Sequence, residues 1–337
     1  MSLLQYGSAP RSVAAVASIL GLIACASTKT ILTKLIFIHI IDLPIAYSLL
    51  SASTTVLLAG GSCIALNGSV PPLRGDMLCQ LLPVCAAITI DFALSNVAIS
   101  QLPLALQQAI ASTIAAATIL LETIVTQRCK PLSTWLVIIT LCIGAVLSHL
   151  SSVTAEPEAT RGAMAVAALL PGELAMFVAI FAAAAKYVFA KSMLHAFRQE
   201  LGALPLLFWI EVVICATLLP WALLWGELQA LYCAGYGVPE WASLASAAAL
   251  GGVRFFMELL VLRYWSATTL SAANLSAHSF VIVVWAIVTR QSLTPSFVAG
   301  TLVTIGASVA FAWLKVSRPA LGGEHQADAA RIKLVLA

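Results

Sequence analysis

Residues 203–226 read Ala-Leu-Pro-Leu-Leu-Phe-Trp-Ile-Glu-Val-Val-Ile-Cys-Ala-Thr-Leu-Leu-Pro-Trp-Ala-Leu-Leu-Trp-Gly, and the only charged side chain in that length is Glu211. A helix of about 20 mostly apolar residues crosses the hydrocarbon of a bilayer, so this stretch is long enough to span one and too apolar to face water. Runs of the same kind recur outward from it, near 12–33, 43–66, 77–99, 103–126, 133–150, 172–194, 242–263, 267–289 and 294–314. Over the whole chain 61% of residues are apolar and 9% charged, against about 25% charged in an ordinary soluble domain, and the mean hydropathy is +1.01. No soluble core absorbs that much apolar surface. The sequence therefore predicts an all-α polytopic membrane protein with about ten transmembrane helices.

The polar stretch from Ser151 to Arg161, containing Glu156, Pro157 and Glu158, divides the chain near its middle and leaves five runs on each side. The halves share strings. Lys29-Thr30-Ile31-Leu32-Thr33-Lys34 corresponds to Lys186-Tyr187-Val188-Phe189-Ala190-Lys191, each with two lysines five residues apart. Ile124-Val125-Thr126 followed by Ile143-Gly144-Ala145 corresponds to Ile287-Val288-Thr289 followed by Ile305-Gly306-Ala307. An odd number of spans per copy inserts the second copy upside down, so the expectation is two inverted five-helix repeats. The organisation is an N-terminal repeat at 1–150, a polar linker at 151–171, a C-terminal repeat at 172–317 and a tail at 318–337.

Lys and Arg near the loop ends set the orientation. With the N-terminus inside, Arg11, Arg74, Arg128, Lys130, Lys191, Arg198, Arg263, Lys315 and Arg318 fall on the cytosolic side, and Lys34, Arg161 and Arg290 on the other. Both termini are therefore expected in the cytosol. The eleven residues before the first run lack the character of a transit peptide, and the first span doubles as the insertion signal. The eight cysteines fall mostly within spans, without Cys-x-x-Cys or a His partner at metal spacing, so no metal or other cofactor is expected. Neither Asn67-Gly68-Ser69 nor Asn274-Leu275-Ser276 is expected to carry sugar, one being in a cytosolic loop and the other inside a helix.

Several strings resemble the drug/metabolite transporter superfamily, nearest its triose-phosphate and nucleotide-sugar translocator branch. They are Lys29, Asn96-Val97, Gln108-Ala109-Ile110-Ala111-Ser112-Thr113, Thr269-Leu270-Ser271, and Gly306 with Lys315, spread over most of residues 12–315. The resemblance implies that fold and a transport activity, with exchange of a small organic anion such as a nucleotide sugar or phosphorylated metabolite, in a Golgi or endoplasmic reticulum membrane. The family pattern departs at Ala111, where relatives carry lysine, at Ala277-His278, where they carry lysine followed by a polar or basic residue, and at Thr28, where they carry Asn. The phosphate-binding set of the best-known members therefore does not transfer.

A charged side chain at mid-bilayer costs about 2.5–3.5 kcal/mol, so each one within a span asks for a reason. The ionisable candidates are Asp91, Glu122, Lys186, Glu211, Arg254, Glu258 and His278, with Lys29 and Lys34 nearer a surface. Arg254 and Glu258 stand at i and i+4, either as an anion receptor with its orienting partner or as a self-neutralising pair. Gln108, Ala111, Ala115, Thr118 and Glu122 share one face of a continuous fourth span, which either lines a solute path or packs closely. Ser271, Asn274 and His278 make a similar face on the ninth. Lys29 and Lys186, equivalent in the repeat, are candidate gates, whereas Lys34 and Lys191 read as interfacial lysines snorkelling to water. The substrate-binding set is then Lys186, Arg254, Glu258, His278, Asn274, Gln108 and Glu122.

No metal spacing, Gly-rich phosphate loop or serine nucleophile elbow is present, so an enzyme is not expected. The partners expected are a small anionic solute and membrane lipid, with a homodimer as a further arrangement and no nucleic acid. A scaffold or receptor that kept the fold without transporting, and an exporter of a non-phosphorylated metabolite, stand as alternatives.

Overall fold

The computed structural model describes residues 11–127, 131–153, 163–197, 201–288 and 295–317. All regular elements among them are helices: α1 (Arg11–His39), α2 (Pro44–Asn67), α3 (Gly75–Gln101), α4 (Leu104–Ala111), α5 (Ile114–Thr126), α6 (Leu132–Val153), α7 (Ala163–Ala196), α8 (Ala203–Leu224), α9 (Glu227–Cys233), α10 (Val238–Tyr264), α11 (Ala267–Val288) and α12 (Pro295–Ser317). Seven helical stretches are long and apolar enough to cross a membrane: Val16–His39, Pro44–Asn67, Met77–Gln101, Pro171–Leu194, Ala203–Leu224, Val238–Tyr264 and Ala267–Val288. Ile114–Thr126, Leu132–Gly144 and Val298–Ala307 are shorter apolar helical stretches. The protein is thus an all-α bundle with the character of a multi-pass integral membrane protein. Of the expected linker at 151–171, residues 154–162 lie outside the described residues, and the rest is helical, 151–153 ending α6 and 163–171 beginning α7. The tail at 318–337 also lies outside the described residues, as do Arg128, Lys130, Arg161, Arg198, Arg290 and Arg318.

The outward faces carry large apolar side chains, among them Leu57, Leu66, Ile124, Leu132, Phe177, Leu224, Ile287 and Leu302, as hydrocarbon-facing helices require. Exposed Trp225, Tyr232 and Trp241 gather around the α8–α10 connection, and exposed Tyr264 stands at the far end of α10. Indole and phenol rings in those places suit the headgroup level.

Inside, α1 packs on α10 and α11, α7 packs on α3 and α5, α2 on α8, and α6 on α12. Close approach of these helices is bought with small residues. A Cβ at Gly252 would lie 2.6 Å from Thr55 Oγ1, and one at Gly144 would lie 2.8 Å from the Thr304 backbone nitrogen. The largest buried cluster, with Leu22, Leu81, Ile88, Ile210, Ile214 and Leu259, joins α1, α2, α3, α7, α8 and α10. A second cluster, with Ile119, Ile138, Leu141 and Leu275, joins α5, α6, α11 and α12.

Two features differ from the sequence expectation. The fourth run is not one helix: Ser112 and Thr113 form a turn between α4 and α5. There the Thr113 backbone N–H reaches to the Ile110 oxygen, 3.1 Å, and the Thr113 hydroxyl donates to the same oxygen at 2.8 Å. The other difference concerns the lysines read as snorkelling. The Lys34 ammonium donates to the carbonyls of Ile99 and Leu102 at 2.7 and 2.9 Å, and Lys191 donates to those of Leu262 and Trp265, both at 2.5 Å. Lys34 leaves α1 to cap the C-terminal carbonyls of α3, and Lys191 leaves α7 to cap those of α10, where an ammonium also meets the negative end of the helix dipole.

Candidate functional site

Where α1, α2, α3, α4, α7, α8, α10 and α11 converge they leave a cavity of about 880 Å³ of empty space, open mouth included. Its wall is polar for a bundle interior. Lys29 and Thr30 come from α1, Ser48 and Ser51 from α2, Asp91, Ser95 and Asn96 from α3, and Gln107 and Gln108 from α4. Tyr187 comes from α7, Glu211 from α8, Arg254 and Glu258 from α10, and His278 from α11. Gly251 lets the wall close between α10 and α2, since a Cβ there would stand 2.7 Å from Ser51 Oγ.

The charged groups are arranged around one buried lysine. Lys186 is 2% exposed, and its ammonium lies 2.6 Å from Asp91 Oδ2 and 3.4 Å from Glu258 Oε2. The rings of Tyr187 and Phe92 flank it, with centroids 4.7 and 5.1 Å from Nζ. Glu258 turns its other oxygen to Arg254, 3.3 Å from Nε, at the i, i+4 spacing. Both carboxylates are thereby committed to cations. The rest of the Arg254 guanidinium carries no ion pair or hydrogen bond among the described residues, and its side chain is 23% exposed within the cavity wall. Lys29 likewise has no carboxylate partner; its ammonium sits 5.9 Å from the Tyr47 ring centroid.

Neutral groups fix the wall. Asn96 donates to Ser48 Oγ at 2.7 Å, and that hydroxyl donates to the Pro44 carbonyl at 2.8 Å. Gln108 donates to Gln107 Oε1, and Gln107 reaches Met176 Sδ at 3.6 Å. The Gln108 oxygen itself is buried without a hydrogen-bond partner among the described residues. An acceptor left open beside two incompletely paired cations can take a donor from a bound solute.

Of the residues expected from sequence, Lys29, Gln108, Arg254, Glu258 and His278 meet at this cavity, and Lys186, Asn274 and Glu122 do not line it. Lys186 lies behind the wall because Asp91 and Glu258 hold it there. Asn274 donates to the Tyr187 hydroxyl at 2.8 Å and so orients a wall residue. Glu122 accepts a hydrogen bond from Thr268, since the turn at 112–113 ends the continuous face that linked it to Gln108. The two positions lacking the family lysines also part: Ala111 is in the wall, whereas Ala277 is fully buried and its carbonyl accepts from Ser27 Oγ at 3.2 Å. Asn96 and Tyr187 stood in the strings quoted from the sequence but were not read as site residues, and the serines of α2 gave no signal, being ordinary residues in an apolar helix. Asp91 was visible as an intramembrane charge, but its pairing with Lys186 was not. No cluster of His, Cys, Asp and Glu suited to a metal ion occurs among the described residues.

No family model matches the chain, and no curated protein matches it. Among solved structures, one described only as "Crystal structure of protein" aligns with a TM-score of 0.60 at 12% identity, covering 90% of this chain and 96% of that one. That likeness is one of fold.

Proposed function

We propose that the protein is a secondary transporter of a small organic anion, a relative of the drug/metabolite transporters near their triose-phosphate and nucleotide-sugar branch. It works by alternating access of two inverted five-helix halves, 1–150 and 172–317, around the central cavity. In this reading the ten spans are α1, α2, α3, α4 with α5, α6, α7, α8, α10, α11 and α12. The packing supports it: exchanging the halves turns the α1–α10 contact into α7–α3, α1–α11 into α7–α5, and leaves α2–α8 and α6–α12 paired. The lysine caps support it too, because Lys34 with Ile99 and Leu102 maps onto Lys191 with Leu262 and Trp265 at the same three-residue step. A broken helix beside the cavity, as at 112–113, is a feature of transporter sites.

The observation that carries the anion is the Arg254 fork, held by one Nε–Glu258 contact and otherwise open to the cavity, with Lys29 beside it in the wall. Arg presents a planar pair of donors that matches carboxylate or phosphate. Exchange of one anion for another is the expected mode, in a Golgi or endoplasmic reticulum membrane, with both termini cytosolic and no chemical conversion of the solute. The test is counter-transport in reconstituted vesicles against nucleotide sugars, sugar phosphates and organic acids. Stimulated uptake of one class supports the reading. Absence of exchange with every member, from folded protein, favours a non-transporting scaffold.

A further inference from the structure

We propose that Glu211 is a proton-binding site of the cavity, and that a proton enters and leaves with the anionic solute. This rests on the transport reading above. Glu211 is 2% exposed, lines the cavity from α8, and its Oε2 has no hydrogen-bond partner among the described residues. A buried carboxylate without donors is strongly disfavoured unless it takes a proton or a counter-charge.

The helices around α8 supply no dedicated counter-charge. From α3 come the Cys85 thiol, bonded to the Ile210 carbonyl, and Asp91, which is committed to Lys186. From α10 come Arg254 and Glu258, already paired with each other, and from α2 the cavity brings only the hydroxyls of Ser48 and Ser51. Glu227 of α9 is turned away, accepting from the backbone nitrogens of Ile45 and Ala46. Lys186 of α7 is already shared by the carboxylates of Asp91 and Glu258.

The charge count sets the coupling. Counted in their ordinary charged forms, Lys29, Lys186 and Arg254 are matched by Asp91, Glu258 and an ionised Glu211, so these six groups cancel in the empty site. A univalent anion arriving on Arg254 and Lys29 restores neutrality only when Glu211 holds a proton. Asp91 and Glu258 are poor carriers, because protonating either strands a buried cation. In the step itself a proton passes from hydronium in the open cavity to a Glu211 oxygen, forming O–H and leaving water, and the reverse occurs on release. Anion and proton then travel in the same direction, and exchange of loaded carriers remains open without net proton flow.

The test uses the full chain in proteoliposomes with radiolabelled inorganic phosphate as the probe. A gradient of one pH unit, acid on the phosphate side, should raise wild-type accumulation by up to about tenfold over no gradient. Glu211→Gln, which mimics the protonated carboxyl, should lose this response, read as the ratio of gradient-driven to ungraded uptake in each protein. An undiminished ratio in the variant, or phosphate transport in the wild type that ignores the gradient, overturns the proposal. If phosphate does not move at all, infrared difference spectra of the purified protein across a pH titration decide. A protonated-carboxyl band present in wild type and missing from Glu211→Gln supports the proton site while the transport reading fails for this anion. No such difference overturns the proposal.

Discussion

Asp91→Asn removes the closest counter-charge of a lysine that is almost completely enclosed. Lys186 and Asp91 side chains are 3% and 9% exposed, and the contact is 2.6 Å. Breaking a buried pair from one side costs about 3–5 kcal/mol, because the other charge is stranded. Glu258 still stands 3.4 Å from Lys186, so Asp91→Asn is expected at or below the low end, about 2–3 kcal/mol. Lys186→Met leaves Asp91 accepting a hydrogen bond from the Ser95 hydroxyl at 3.2 Å, and is expected nearer the full cost of about 3–5 kcal/mol. The double variant removes one cation and one anion and leaves Arg254 paired with Glu258. It should therefore be more stable than the sum of the single losses predicts, by at least about 2 kcal/mol. The assay is reversible chemical unfolding in mixed micelles, with monodispersity checked on each variant. Additive losses, within about 0.5 kcal/mol, would refute the buried triad.

Gly144→Ala should destabilise by about 1–3 kcal/mol, because the Thr304 backbone must retreat, whereas Gly306→Ala, with nothing within 4 Å of the added carbon, should be near neutral; thermal unfolding in detergent compares them. Lys34→Met and Lys191→Met should each cost about 1.5–3 kcal/mol through two lost charge-assisted bonds, and similar losses in both halves are expected on the same assay. Glu227→Ala frees the Ile45 and Ala46 N–H groups at the start of α2 and should cost about 0.5–2 kcal/mol, with hydrogen exchange rising at that helix end. Cysteines placed at Ala155 and Ala329 should label from opposite sides with an impermeant reagent; labelling from one side would overturn the five-plus-five orientation.

The helical bundle was legible because apolar length is nearly the whole signal for a spanning segment, and the central charges were legible because each is costly there. What was not legible were the partners. Lys29 and Lys186 occupy equivalent places in matching strings, yet one faces the cavity and the other is locked by Asp91 and Glu258 from two other helices. Glu122 was placed with Gln108 by carrying one helical phase through Ser112 and Thr113, where the structure has a turn and the phase is lost. Lys34 and Lys191 were assigned to water because a flexible ammonium at a helix end ordinarily finds it; here the carbonyl ends of α3 and α10 lie within reach first.

The central claim is that an anion is received by the Arg254 fork. The most direct measurement is solute exchange per folded molecule for wild type, Arg254→Lys, Arg254→Ala and Glu258→Gln, with folded protein quantified separately. The account predicts that Arg254→Lys loses most of the exchange although the charge is kept, that Arg254→Ala loses it all, and that Glu258→Gln retains more than Arg254→Ala. Full specific activity in Arg254→Ala, with only the amount of folded protein reduced, would contradict it.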